Sequence, residues 1–412
     1  MTTHRIRLAS LVLGCVAAFN LGEAATYPLP PEDRCLVGAL RKARIRAGET
    51  LLDLARLYGV GLQELQDANP GVDPWLPAVG QHVVIPSQYL LPRGPRAGMV
   101  VNLPELRLYY FPPAAGRGER VVMTYPVGIG TEGRALPVAD TRIVEMQVDP
   151  PWVVPDSIRA EHEAAGDPLP KVVPPGPDNP LGRRALRLGL STYLIHGTNH
   201  PYSVGMRVSH GCLRMYPESI AELFDRVTAG TPVRIVDQPY KAGWEGGVLY
   251  LEAHPPLVET GHGPDSNLTP MVVAIAGAAR QRLADPAWQA AHRVAIRGAG
   301  IPTPISGGPQ DLAHGRDAAH PPAPPTARWM VQVGVFRDPA NADRVTRRMQ
   351  ELELPVTAST AGEHRPCRVW VGPFASREAA AVTGEQIYQA TGLESFPVPA
   401  SPVSGAACDA TD

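Results

Sequence analysis

Proline interrupts this chain 46 times in 412 residues. Each one fixes φ and removes a backbone donor, so long unbroken helices are excluded and short strands, loops and linkers are favoured. The length allows two or three domains with ordinary cores. The 38 Lys plus Arg nearly balance the 40 Asp plus Glu, so no one-signed surface is expected for a nucleic acid or a basic membrane patch.

The N-terminal "MTTHRIRLASLVLGCVAAFNLGEAA" places Arg5 and Arg7 before an apolar run from Leu8 to Phe19, with Gly22, Ala24 and Ala25 at its exit. That order is the layout of a secretory signal over 1–25, too short to span a bilayer; a buried N-terminal helix is the alternative. The mature chain is expected to begin near Ala25 or Thr26. "VLGC" at Val12–Cys15 resembles a bacterial lipoprotein cleavage box. No later segment reaches the roughly 20 apolar residues of a membrane helix. Export leaves Cys35, Cys212, Cys367 and Cys408 in an oxidising compartment, too dispersed for a dense disulfide framework. Cys367 with Cys408 is the one pairing considered.

Four regions follow. In 41–87, "GETLLDLARLYGV" carries Leu51, Leu54, Ala55 and Tyr58 on one helix face, with Thr50 as N-cap and Gly59 as the stop. A second helical turn ends at Asn69-Pro70, and "HVVIP" closes the segment as a strand. The segment resembles a LysM module, a small βααβ fold that binds N-acetylglucosamine-containing glycans, through Gly48, Glu49, Thr50, Leu51, Asn69, Pro70 and Val83–Pro86. Ala43 stands where that family usually has an aromatic residue. A plain helical hairpin is the alternative.

Residues 98–237 are strand-rich, with a hairpin around Leu103-Pro104-Glu105, and predict an antiparallel β core. The proline-dense "PPWVVPDSIRAEH" and "VVPPGPDNPLG" are expected as surface loops that shape a cleft. Residues 238–327 read as an extension and a Pro/Gly-rich linker with one helical stretch. Over 328–398, "VQVGVF" recurs as "VWVGPF", each followed by a helical pattern, which implies two βα halves on one sheet. This segment resembles the SPOR domain of bacterial envelope proteins, an α+β, ferredoxin-like module that binds peptidoglycan glycan strands stripped of stem peptides, typically at division septa. A generic ferredoxin-like domain is the alternative. Residues 399–412 read as a flexible tail.

The chemistry concentrates in "VSHGCLRM" at 208–215, with His196 ending the apolar strand "YLIHG" sixteen positions before Cys212. A thiol becomes a nucleophile as its thiolate, and a neighbouring imidazole or the N-terminus of a following helix lowers its pKa for that purpose. Gly211 permits a tight turn that gathers backbone N–H groups into an oxyanion hole, and Arg214 suits a substrate carboxylate. The residues alone leave three other readings open. Cys212 is a buried structural cysteine, a zinc ligand with His196, His200 and His210 in a pattern lacking compact ligand spacing, or a redox thiol without a nearby partner.

"HGTNHPYSVGMRVSHGCLRM" closely resembles the signature of the YkuD-type L,D-transpeptidases, with His196, Gly197, Ser209, His210, Gly211, Cys212 and Arg214 on motif positions. The resemblance spans about 98–258. It implies a mainly β, sandwich-like catalytic domain between the LysM and SPOR modules. It makes Cys212 the nucleophile and His196 the general base or acid, oriented by a backbone carbonyl near Gly197. His210, Gly211 and Cys212 become oxyanion donors, Ser209 and Arg214 supporting residues, and Gly197, Tyr202 and Met206 substrate-binding residues. The reaction implied is attack on the L-centre–D-Ala bond of a tetrapeptide stem, release of D-alanine, and transfer to an amine. That amine belongs to another stem, giving a 3–3 cross-link, or to an outer-membrane lipoprotein, as in the lipoprotein-anchoring subgroup. No metal or organic cofactor is implied, carbapenems are the expected inhibitors, and the location is the periplasm, at the septum through the SPOR domain. Water as acceptor and a non-catalytic scaffold are the alternatives. Where the family often has a "TPxG" turn, this chain has Leu136-Pro137-Val138-Ala139, which leaves the adjoining strand pair open. Two tethered binding modules would raise the effective concentration of a polymeric substrate.

Overall fold

The structure is a computed structural model. It describes residues 25–114, 119–134, 136–164, 166–190, 192–260, 267–280, 285–307, 329–336, 339–359, 367–391, 393 and 395–399. The signal segment up to residue 24, Cys15, Cys408, residues 308–328 and the tail from residue 400 lie outside this set.

The chain opens with β1 (Ala25–Pro28) and β2 (Leu36–Gly38), followed by β3 (Arg41–Arg44), α1 (Leu51–Tyr58), α2 (Leu62–Ala68) and β4 (His82–Ile85). Helix α1 starts at Thr50 because its Oγ1 accepts from the Asp53 N–H while the Asp53 carboxylate accepts from the Thr50 N–H. It stops at Gly59, whose φ of 62° suits glycine. Leu51, Leu54 and Ala55 close with Leu62, Leu65, Val83 and Ile85 over one small core. Asn69 ends α2 and fastens it to β4: Nδ2 donates to Leu65 O and Val84 O, and Oδ1 accepts from the Val84 N–H.

After β5 (Gln88–Leu90), which pairs with β2, come β6 (Gly98–Asn102), β7 (Arg107–Phe111), β8 (Val121–Pro126), β9 (Ile129–Gly130) and β10 (Ala139–Val148). Then follow β11 (Trp152–Val153), α3 (Asp156–Ala164), β12 (Val172–Val173), β13 (Arg184–Leu188) and β14 (Leu194–His196). The unit ends with β15 (Arg207–Ser209), β16 (Leu213–Arg214), α4 (Pro217–Arg226) and β17 (Pro232–Val236). Nine strands bond in the order β1-β8-β7-β6-β17-β10-β13-β14-β16. The far end returns to the start: Gly128, just past β8, exchanges both backbone hydrogen bonds with Arg214 of β16, at 2.8 and 2.9 Å, and β9 pairs with β15. The sheet therefore curls over one core, in which Met123 and Tyr125 of β8 meet Ile195 of β14, Leu213 of β16, and Ile220 and Leu223 of α4. Leu136 is buried in that core and Ala139 opens β10 opposite Ile235, so the altered turn at Leu136–Ala139 still feeds a paired strand.

Three expectations are corrected here. The expected antiparallel core is a mixed sheet, in which β17 runs parallel to β6 and β16 parallel to β14. The proline-dense stretches around residues 150–182 are more than loops: the proline-free "SIRAEHEA" forms most of α3, and β11 pairs with β12. Much of the segment expected as extension and linker is folded. Strands β18 (Tyr240–Glu245), β19 (Val248–Ala253) and β20 (Thr303–Pro304) form a sheet, with α5 (Thr269–Ala279) and α6 (Trp288–Arg297) packed on it. Its core joins Trp244, Leu249, Leu251, Ile275 and Ile305 to alanines of both helices. A buried charge cluster ties this unit to the main sheet. Lys241 Nζ lies 2.8 Å from both Glu105 Oε1 and Glu252 Oε1, and His254 Nε2 lies 2.7 Å from Glu252 Oε1.

The C-terminal unit consists of β21 (Trp329–Phe336), α7 (Pro339–Glu351), β22 (Val356–Ser359), β23 (Cys367–Phe374), α8 (Arg377–Thr391) and β24 (Phe396–Pro399). Its sheet order is β22-β23-β21-β24, so the two echoed sequences are β21 and β23, adjacent and antiparallel. Cys35, Cys212 and Cys367 are free thiols. Among the described residues no helix is long and apolar enough to cross a membrane.

Candidate active site

Strands β14 and β16 run parallel, with Ile195 opposite Leu213 and His196 opposite Arg214. Cys212 immediately precedes β16, so the thiol enters the strand that neighbours the one carrying His196. His196 is buried, and its Nδ1 lies 2.6 Å from Gly197 O. A carbonyl only accepts, so Nδ1 carries the proton and Nε2 is the acceptor. Burial, reinforced by the Arg214 charge, presses the imidazole pKa down to about 3. Burial likewise pushes the Cys212 thiol up, and its Sγ lies 3.9 Å from Thr192 O. Both shifts favour the neutral thiol over the thiolate and the neutral imidazole over the imidazolium.

The expected help from a helix N-terminus is absent. Helix α4 begins at Pro217, with β16 between it and the thiol, and the helix dipole acts only within its first turn.

Ser209 organises the turn before Cys212. Its Oγ donates to Cys212 O at 2.7 Å and accepts from the Gly211 N–H at 3.1 Å. Gly211 has φ 119°, and a Cβ there would stand 3.1 Å from Arg134 O, so glycine is required by both conformation and space. His210 reaches α3, its Nε2 3.3 Å from Glu161 Oε2. Arg134 grips the same carboxylate through Nη1 at 3.2 Å and Nη2 at 2.5 Å. Ser209, His210 and Arg214, which flank Cys212, line a cavity of about 840 Å³ together with Trp152, Ile158 of α3 and Gln63 of α2.

The zinc grouping suggested by the residues is not assembled. His210 is turned to Glu161, and His200 Nδ1 is bonded to the Tyr202 hydroxyl at 2.9 Å. Among the described residues the convergent group of potential ligands is Glu105, Glu252 and His254, and the Lys241 ammonium already binds both of its carboxylates.

Family models match three segments: the L,D-transpeptidase catalytic domain over 96–235, the LysM domain over 43–86 and the SPOR domain over 325–399. The chain is 42% identical over 257 residues to the Escherichia coli "Probable L,D-transpeptidase YbiS", covering 61% of this chain and 82% of that protein. It is 44% identical over 243 residues to the Escherichia coli "Probable L,D-transpeptidase YcfS", covering 58% of this chain and 75% of that protein. The chain belongs to the L,D-transpeptidase family.

Within this L,D-transpeptidase the three residues expected to bind substrate are placed differently from one another. Met206 lines the cavity, the exposed Tyr202 bonds His200, and Gly197 holds the His196 ring through its carbonyl. Arg134 and Glu161 were not singled out by sequence reasoning. They lie outside the "SHGC" motif, and Glu161 sits in a stretch that its prolines marked as loop.

With Cys212 and His196 as the expected reacting pair, a pH profile follows from their shifts. Because the His196 pKa is depressed, Nε2 stays an unprotonated base as pH falls through about 6.5, the ordinary value for histidine. The kcat/KM for acylation is expected to lack an acid limb there and to rise toward alkaline pH as the thiol deprotonates. Stopped-flow acylation across about pH 5 to 9 checks this; an acid limb near the ordinary value would show an unshifted imidazole.

Proposed function

We propose that Cys212 Sγ attacks the carbonyl of the L-centre–D-Ala bond in a tetrapeptide stem. The S–C bond forms as the thiol proton passes to His196 Nε2; the C–N bond breaks, and that proton leaves on D-alanine. An incoming amine then forms the new amide, gives its proton to His196 Nε2, and returns Cys212 to the thiol. The observation carrying this reading is the 2.6 Å contact between His196 Nδ1 and Gly197 O, which fixes the tautomer that a proton acceptor needs on the strand beside Cys212. Because the Gly211 N–H is held by Ser209 Oγ, we assign the oxyanion hole to the Cys212 and His210 N–H groups. Arg214 supplies positive charge for a stem carboxylate.

The acceptor in this reading is an amine of another stem, giving a 3–3 cross-link, or a lysine of an outer-membrane lipoprotein. The protein acts in the periplasm after removal of residues 1–25. Thr26, Tyr27 and Pro28 of β1 pair with β8, so the start of the expected mature chain has a place in the fold. The LysM module engages glycan, and the SPOR domain directs the enzyme to septal strands stripped of stems. Incubation with a disaccharide-tetrapeptide and a diamine tests the reaction: amide product with free D-alanine is expected. Tripeptide alone would favour water as the acceptor, and unchanged stem would favour a binding scaffold.

Deletion of residues 328–412 is expected to weaken binding to sacculi more than it lowers kcat/KM for a soluble stem, because tethering adds affinity while Val382 and Tyr388 of α8 line only part of the cavity. Equal loss of both, in parallel kinetic and sedimentation assays, would contradict a separable SPOR role.

A further inference from the structure

The N-terminal βααβ unit is attached to the catalytic domain by more than its linker. Arg107 of β7 donates through Nε to Glu64 Oε1 of α2 at 3.1 Å and through Nη2 to Glu64 Oε2. The two side chains are 0% and 3% exposed, and the guanidinium lies 4.2 Å from the Tyr89 ring centroid. Arg56 of α1 forms a two-pronged pair with Glu218 at the start of α4, at 2.7 and 2.9 Å. Separating the units would expose one buried charge and strand another, a cost of several kcal/mol. A freely swinging module is not compatible with these contacts.

The contact that reaches the active site is between two glycines. The Gln63 N–H donates to Gly205 O at 3.1 Å, and the backbones of Gly61 and Gly205 abut. A Cβ added to Gly205 would come 2.3 Å from Gly61 Cα, and one added to Gly61 would come 3.0 Å from Gly205 Cα. The next residue, Met206, packs against the core of the N-terminal unit and also lines the cavity. Gly205 and Met206 end the loop that leaves His196 and Gly197, and Asn199 and His200 of that loop line the same cavity. At its far side, Met206 O accepts from the Ile129 N–H at 2.9 Å, beside β15 and the "SHGC" turn.

We infer that the LysM unit is a built-in positioning element of the active site, with the Gly61–Gly205 contact holding the 197–206 loop in its working place whether or not glycan is bound. This rests on the acyl-transfer reading above and changes the part the module plays in it. The unit that recognises glycan also forms a fixed wall of the cleft, and turnover of a glycan-free stem depends on it.

Gly61→Ala in the full-length protein tests this. Gly61 has φ −78°, which any residue adopts, so the substitution acts by crowding: its Cβ would meet Gly205 Cα at 3.0 Å, with Glu64 Oε2 at an ordinary contact distance of 3.4 Å. Gly61→Ser adds the same Cβ while supplying an N-cap hydroxyl to α2, which separates crowding from loss of helix stability. With a soluble tetrapeptide lacking sugar, kcat is expected to fall between about 5- and 100-fold with little change in KM, while binding to purified glycan strands is retained. Hydrogen exchange of amides 198–206 is expected to speed up in both variants. Wild-type kcat and wild-type exchange in folded variants would overturn the inference. An inert wild-type enzyme would instead sink the acyl-transfer reading, and the exchange data would still decide whether this module holds the loop.

Discussion

Cys212→Ala is expected to release no D-alanine from a tetrapeptide stem, a loss on the order of 10⁴-fold or more, because the proposed acyl intermediate forms on this thiol and alanine has no nucleophile to replace it. His196→Gln is expected to fall nearly as far. Glutamine preserves bulk and a hydrogen bond to Gly197 O but offers no nitrogen able to take the thiol proton. Burial pushes the Cys212 thiol up, so little thiolate is available to bypass the base. Two residues that act as one unit are not additive, and the double variant should lose little beyond either single change. The check is chromatographic measurement of D-alanine for all four proteins. A double variant that loses the product of the two single factors would mean that Cys212 and His196 act independently.

Lys241→Met is expected to destabilise the protein by about 3–5 kcal/mol. Lys241 is 1% exposed, and Glu105 and Glu252 are fully buried. Burial pulls the ammonium pKa down, but the two carboxylates outweigh it and hold it above its usual range. Glu105 is further bonded by Asn102 Nδ2 and the Tyr109 hydroxyl, and Glu252 by the Leu90 N–H and His254. Removing the cation leaves two buried carboxylates facing one imidazole. The deficit should shrink as pH falls, since in the variant a carboxylate with a raised folded-state pKa gains stability by taking a proton. Urea unfolding at two pH values measures both effects. A loss below about 1 kcal/mol would mean that water reaches the cluster and that it does not bind the 240–304 unit to the sheet.

What the sequence revealed was local. Thr50 and Gly59 bracket α1 because caps are written in adjacent residues, and the repeated "VGVF" and "VGPF" strands show themselves by likeness. The "SHGC" turn is recognisable because Ser209 and Gly211 act within three residues of Cys212. The missing parts depend on partners far apart in the chain. Nothing near Arg107 or Glu64 announces their buried pair, and nothing near Gly61 announces Gly205, so the LysM unit read as a tethered module. The 240–304 unit read as extension and linker with one helical stretch, near α6, because Ala274 and Ala278 of α5 supply half of the residues that helix buries where larger apolar residues would have signalled a helix face. Strand β16 is two residues long, too short to show a period. The direction of the His196 pKa was hidden too: a histidine in a motif suggests a titrating base, and only its burial shows that it stays neutral.

The most direct test is the intact mass of the mature enzyme after brief incubation with a disaccharide-tetrapeptide. An adduct on Cys212 equal to the donor less D-alanine, discharged when an amine is added and absent from Cys212→Ala, is the result predicted. Unmodified protein at every time, with wild type and Cys212→Ala binding sacculi equally well, would contradict catalysis by this thiol.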